Sequence, residues 1–139
     1  MFAEALVCLA LNVYHEARDQ PFIGQVAVAQ VVMNRVHDDR YPDDVCEVVT
    51  QGPTYSWKPD FPVRHRCQFS WYCDGKSDRT PDQTAWEQAL TIAQGVHTGN
   101  LDDFVEGATH YHATYVLPEW AETKTPVVQI GGHIFYRWE

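Results

Sequence analysis

The run Val26-Ala-Val-Ala-Gln-Val-Val-Met-Asn34 constrains this chain more than any other feature, because it is apolar on nearly every side of a helix. Such a helix cannot lie on a surface and must be wrapped by other elements. The reading is a buried central helix from about Phe22 to His37. Its partners are legible on both sides. In residues 2–17, Leu6, Leu9, Ala10 and Val13 share one helical face, and Pro21 breaks the chain before the central helix begins. Thr80-Pro81-Asp82-Gln83 reads as a capping box with proline at its first position, opening a helix to about His97 that Thr98-Gly99-Asn100 closes. Between them, Asp43 is placed to cap a short helix ending near Val49. The tail from Val127 to Tyr136 reads as a hairpin turning at Gly131-Gly132. With no repeat and no linker, residues 1–139 are expected to form one domain, mostly α (α+β), with a small β-hairpin element.

Charge excludes some functions. Ten basic against nineteen acidic residues give a net charge of −9, the wrong sign for gripping phosphates, so no nucleic acid partner is expected. The same sum argues against nonspecific attraction to an anionic surface, and grip on a substrate must come from a shaped groove. No apolar run approaches the roughly 20 residues of a membrane-spanning helix, so no membrane partner is expected either. The first residues carry Glu4 and no basic stretch, and they run straight into a motif, which is unlike a cleaved signal peptide.

Residues 51–80 hold prolines and scattered aromatics with no sustained period, an irregular excursion with room for a short hairpin. Loops of this length in a small domain are often functional. Gln68, Ser70 and Trp71 cluster there. Trp71, Trp57 and Trp120 offer flat faces for sugar rings, or core material, and Gln68 can bond hydroxyl or acetamide groups. The four cysteines, Cys8, Cys46, Cys67 and Cys73, allow three full pairings. Cys8 lies on the apolar side of the first helix and reads as a free buried thiol, with a disulfide or none among the other three. No Cys-x-x-Cys pair favours structural zinc. Cysteine usage of this kind fits a protein that meets an oxidising compartment.

Two clusters carry chemistry. Glu16 ends the first helix, where the negative end of the helix dipole disfavours its charge. Partial burial would raise its pKa further, as a general acid near neutral pH requires. The alternative is a surface glutamate paired with Arg18 or His15. The second cluster is Thr109-His-Tyr-His-Ala113. On a strand His110 and His112 would share a face, a spacing that suits a metal, and His15 or His133 could complete a zinc site. Against zinc, no His-Glu-x-x-His motif is present. The expectation is no metal and no cofactor.

Asn12-Val-Tyr-His-Glu16-Ala-Arg18, Gly24-Gln-Val-Ala-Val-Ala-Gln-Val-Val-Met-Asn34-Arg35 and Tyr41-Pro42-Asp43-Asp-Val-Cys46 together resemble the cell wall hydrolase family of the SleB/CwlJ spore-cortex-lytic type. The resemblance continues through Cys67-Gln-Phe-Ser-Trp71, Gly107-Ala-Thr-His-Tyr-His112 and Gly131-Gly-His-Ile-Phe-Tyr136, in order and over nearly the whole chain. It implies a lysozyme-like fold related to lytic transglycosylases, acting on peptidoglycan glycan strands at the β-1,4 bond between N-acetylmuramic acid and N-acetylglucosamine. It implies that Glu16 is the catalytic glutamate, with Gln68, Ser70, Trp71, His110, Tyr111 and His112 as substrate contacts. The family often reads Glu-Ala-Arg-Gly-Glu where this chain ends in Asp19-Gln20, and some relatives have Tyr-Asn where it has Tyr111-His112.

Counting carboxylates orders the mechanisms. Hydrolysis of a glycoside ordinarily uses an acid and a second carboxylate, for which Asp19, Asp74 and Glu87 stand open. A lytic transglycosylase manages with one, so that reading comes first and a muramidase second. Two other classes are a zinc-dependent amidase or peptidase built on His110 and His112, and a non-catalytic glycan-binding module. The expected setting is a monomer acting on the cell wall. A phage lysis enzyme made in the cytoplasm fits that setting, and so does a host wall-remodelling enzyme.

Overall fold

The structure is a computed structural model that describes residues 2–139. Of the four helices α1 (Phe2–Ala17), α2 (Phe22–Val36), α3 (Val45–Val49) and α4 (Gln83–His97), three pack around α2. Every residue from Gly24 to Val32 is buried. The apolar run thus occupies the centre because α1 and α4 close on two sides and the sheet on another. Leu9, Ala10 and Val13 of α1 meet Val26, Ala29 and Val32 of α2 and Ala89, Ile92 and Ala93 of α4. A second cluster joins Ala27, Val28 and Val31 to Phe135 of the sheet.

The local signals are mostly where the residues place them. Two caps differ by a residue or two. Asp44, not Asp43, accepts from the Glu47 amide to open α3. Asp82, not Thr80, accepts from the Ala85 amide to open α4, because Pro81 holds an extended approach that leaves Asp82 beside the free amides.

The excursion contains a ribbon of β1 (Thr54–Tyr55) and β2 (Lys58–Pro62) and a 3₁₀ turn over Ser70–Cys73. The C-terminal sheet has the order β3-β5-β4, with β3 (His110–Ala113), β4 (Thr125–Ile130) and β5 (His133–Arg137) antiparallel. The expected β4–β5 hairpin turns at Gly131-Gly132. Gly131 has φ +56°, and a Cβ there would lie 2.5 Å from Gln20 Oε1, so both conformation and space call for glycine.

Both cysteine pairs are bridged, Cys8 with Cys46 and Cys67 with Cys73. Cys8 is therefore not a free thiol: packing of α1 against α3 brings its Cα within 5.2 Å of that of Cys46. Among the described residues no helix is long and apolar enough to cross a membrane.

Candidate active site

Glu16 sits one residue from the end of α1, half-buried, where the chain turns away through Arg18, Asp19 and Gln20. The Tyr111 hydroxyl, from the middle of β3, donates to Glu16 Oε1. Burial raises the Glu16 pKa above its ordinary value, opposed by the Tyr111 hydrogen bond and by the Arg35 charge. Burial also holds the Tyr111 phenol well above its usual range, so this hydroxyl is a donor at any working pH. With Oε1 occupied as an acceptor, Oε2 is the oxygen left to carry the acid's proton.

Arg35 is the one cation buried within this assembly, 5% exposed near the end of α2. Its Nε donates to the Thr109 carbonyl at 2.7 Å and its Nη1 reaches Gln68 Oε1 at 3.5 Å. The guanidinium also lies over the rings of Tyr41 and Phe69, at 5.0 and 5.1 Å. It therefore ties α2, β3 and the 67–73 loop together while placing a fixed positive charge near Glu16. The sequence held a signal for it, a lone arginine closing an otherwise apolar helix, that pattern reading alone did not turn into a role.

The 67–73 loop packs on α1 beside Glu16. Trp71 is buried, its Nε1 donating to Asn12 Oδ1 at 2.9 Å, and its ring stacks on His15 at 4.7 Å and 20°. His15 Nε2 lies 3.1 Å from the Asp78 carbonyl. Trp71 thus locks onto α1 at the residues flanking Glu16. Gln68 and Ser70 are exposed on the same loop.

The structure brings Glu16, Tyr111, Gln68 and Trp71 to one side, but not His110 and His112. Strand alternation sends Tyr111, with Phe135 and His133, toward the helices, while His110 and His112 face Trp120 and Tyr136 on the other side of the sheet. The two histidines therefore do not line the Glu16 side. Nor do they assemble a zinc site with His15 or His133. His112 spends both ring nitrogens, on the Ala113 carbonyl and the Tyr136 hydroxyl, and His110 Nδ1 meets Thr109 Oγ1. Among the described residues no group of three His, Cys, Asp or Glu side chains is arranged to hold a metal ion.

The candidate second acids are elsewhere too. Asp19 acts on His133, Asp74 accepts from the Lys76 amide, and Glu87 is exposed on α4. None contributes to the shift at Glu16. Gln20 has a structural task of its own: its Oε1 accepts from the Gly132 amide at 2.9 Å, fastening the β4–β5 turn to the end of α1.

Three helices about a buried central one, a small antiparallel sheet and a half-buried glutamate at a helix end define a lysozyme-like domain. The chain belongs to the cell wall hydrolase family, whose model, described as Cell Wall Hydrolase, matches residues 19–136. That match begins three residues after Glu16, so the role of this residue rests on the geometry above. Over 128 residues the chain is 33% identical to a spore cortex-lytic enzyme of Halalkalibacterium halodurans, covering 91% of this chain and 33% of that protein. It is 29% identical over 127 residues to the spore cortex-lytic enzyme of Bacillus subtilis, covering 91% and 35%. The chain thus spans about a third of the length of these relatives. Among solved structures it is similar to the catalytic domain of the germination-specific lytic transglycosylase SleB from Bacillus anthracis, with TM-score 0.69, 28% identity and coverage of 96% and 93%. The catalytic domain of the Bacillus cereus SleB protein superposes with TM-score 0.68 at the same identity, covering 96% and 89%.

Proposed function

We propose that this domain cleaves the glycan strands of peptidoglycan at the bond between N-acetylmuramic acid and N-acetylglucosamine, as a lytic transglycosylase with Glu16 as its acid and base. One observation carries the reading: a carboxyl group whose pKa burial raises, held by a single hydroxyl donor, with no second acid acting on it. Similarity to a solved lytic transglycosylase domain supports it.

The steps follow from that arrangement. Glu16 Oε2 gives its proton to the glycosidic oxygen as the bond from C1 breaks, and the departing sugar leaves as a free hydroxyl. The carboxylate so formed is stabilised by Tyr111 and by the Arg35 charge. It then takes the proton of the muramyl C6 hydroxyl as that oxygen bonds to C1, closing a 1,6-anhydro ring and restoring the acid. No water is consumed. One carboxyl group serves both halves because each half reverses its protonation state. Gln68 and Ser70, exposed on the 67–73 loop, are the contacts for the sugars, while buried Trp71 holds that loop on α1.

Mass spectrometry of muropeptides released from purified peptidoglycan tests the reading. Wild type should release anhydromuramic products and Glu16→Gln none. Reducing muramic ends alone would make the enzyme a muramidase, and glycan cuts surviving in Glu16→Gln would remove Glu16 from the mechanism.

A further inference from the structure

The net charge of −9 hides a segregation. Residues 51–80 carry five of the ten cations, Lys58, Arg64, Arg66, Lys76 and Arg79, and only three of the nineteen acids. This segment is net +2 while the rest of the chain is −11. Among the described residues its cations have no carboxylate partners, and Lys58 lies over the Phe61 ring at 4.2 Å. Elsewhere Arg40 pairs with Asp38 at 2.7 Å, Arg137 pairs with Glu139 at 3.2 Å, Arg35 is buried, and Arg18 donates to the Tyr14 hydroxyl. The five cations of the excursion are all exposed, and among the described residues none is in an ion pair. With so many acids on the chain, five unpaired cations in thirty residues are not the surface mixture that solubility alone would produce.

Two of them line a hollow. Between β2 and the 72–76 turn lies a surface cavity of about 340 Å³, walled by Phe61, Pro62, Arg64, Tyr72, Gly75 and Lys76. Its frame is built: the Val63 amide donates to the Pro53 carbonyl and the His65 amide to the Cys73 carbonyl, at 2.9 and 2.8 Å. Gly75, at φ +80°, makes room for the arginine. A Cβ there would fall 2.4 Å from Arg64 Nη2, so the guanidinium lies flat on the glycine. Phe61 is 52% exposed and, with Tyr72, gives the hollow its aromatic wall. Tyr72 meets Trp71 edge-on at 6.0 Å, and Trp71 stacks on His15, the neighbour of Glu16. The hollow is therefore joined to the residue beside Glu16 through two ring contacts.

We propose that this hollow is a second binding site, which takes the free carboxylates of the peptide branches borne by the strand being cut. The proposal rests on the peptidoglycan reading above. Sugar rings are neutral and give two unpaired cations nothing to bind, whereas each peptide branch brings carboxylates on an aliphatic chain. Arg64 offers the planar fork that matches a carboxylate, Lys76 a second charge, and the two rings an apolar face for the branch. The site selects strands that still carry their peptides and holds them across the cleft.

Co-sedimentation with purified sacculi, acid-washed to remove phosphate-bearing polymers and kept on ice so that the strands stay whole, tests this by binding and not by turnover. The comparison is with the same sacculi after their carboxyl groups are coupled to glycinamide. Wild type should bind the untreated sacculi about tenfold more tightly than the amidated ones, the value of one charge-assisted contact. Arg64→Gln/Lys76→Gln should bind both equally and weakly. Arg137→Gln, which removes one charge from the far sheet, should keep the preference. A double variant that keeps the preference, a wild type without one, or binding seen only with phosphate polymers left in place would each overturn the proposal. Normal binding with no glycan products released would instead overturn the cleavage reading and leave the site standing.

Discussion

The helical half of the molecule and the 51–80 excursion are built on opposite terms. In α1, α2 and α4 the contacts are mostly between buried valines and alanines, with Leu9 and Ile92, and a carboxyl group is held there against its preference for water. The excursion buries little beyond Phe69, Trp71 and Cys73, leaves Trp57 73% exposed, and is held by a short disulfide and a few backbone bonds. Acid chemistry needs a fixed base, because a misplaced proton donor loses rate steeply. Recognition of a branched polymer gains more from projecting groups on a loop that can adjust.

Breaking the first half of the contrast should give the largest effect. Glu16→Gln should lower turnover by roughly 10²–10⁴-fold while making the protein more stable. A carboxyl whose folded pKa is raised stabilises the fold fully below the unfolded value of 4.5 and loses that contribution as pH rises through the folded value. Glutamine stays neutral throughout, so thermal unfolding at pH 7 should show a higher Tm, by roughly 2–4 °C per kcal/mol regained.

The two disulfides sharpen the comparison. Cys8→Ser/Cys46→Ser opens a link spanning 38 residues and should cost about 4 kcal/mol in denaturant melts, with kcat kept below the melting range. Cys67→Ser/Cys73→Ser, spanning 6 residues, should cost about 2 kcal/mol and yet raise KM more, since it frees the loop that carries Gln68 and Trp71. Equal kinetic effects from both would erase the distinction drawn above.

Tyr111→Phe tests the joint between sheet and helix. Losing the donor should push the Glu16 pKa higher still, moving the alkaline limb of the pH–rate profile upward and lowering kcat about tenfold. The smallest expected effect is on the far face of the sheet. Burial drops the His110 pKa to about 4, so the unfolded chain gains a proton near pH 6.5 that the fold refuses until about pH 4. Stability should fall across that window, and His110→Phe should flatten the decline.

What was legible in the sequence was local. The period of α1, the apolar α2, the Gly131-Gly132 turn and Glu16 at a helix end each announce themselves within a few residues. Contacts between distant segments do not. Nothing near Cys8 points to Cys46, nothing near Gln20 points to Gly132, and Arg35 gains its meaning only when Thr109 and Gln68 close on it. His110 and His112 could be assigned to a common face, but which face meets Glu16 is fixed by how β3 pairs with β5.

That pairing has a consequence for the life of the chain. Tyr111 is 95 residues beyond Glu16, and β3 pairs only with β5, the last strand. A polypeptide emerging from the ribosome therefore carries Glu16 well before the platform for its partner is complete at residue 137. Closing so long a loop is also a slow event in folding. The Glu16–Tyr111 pair is thereby assembled only once β5 has been made and has docked beside β3.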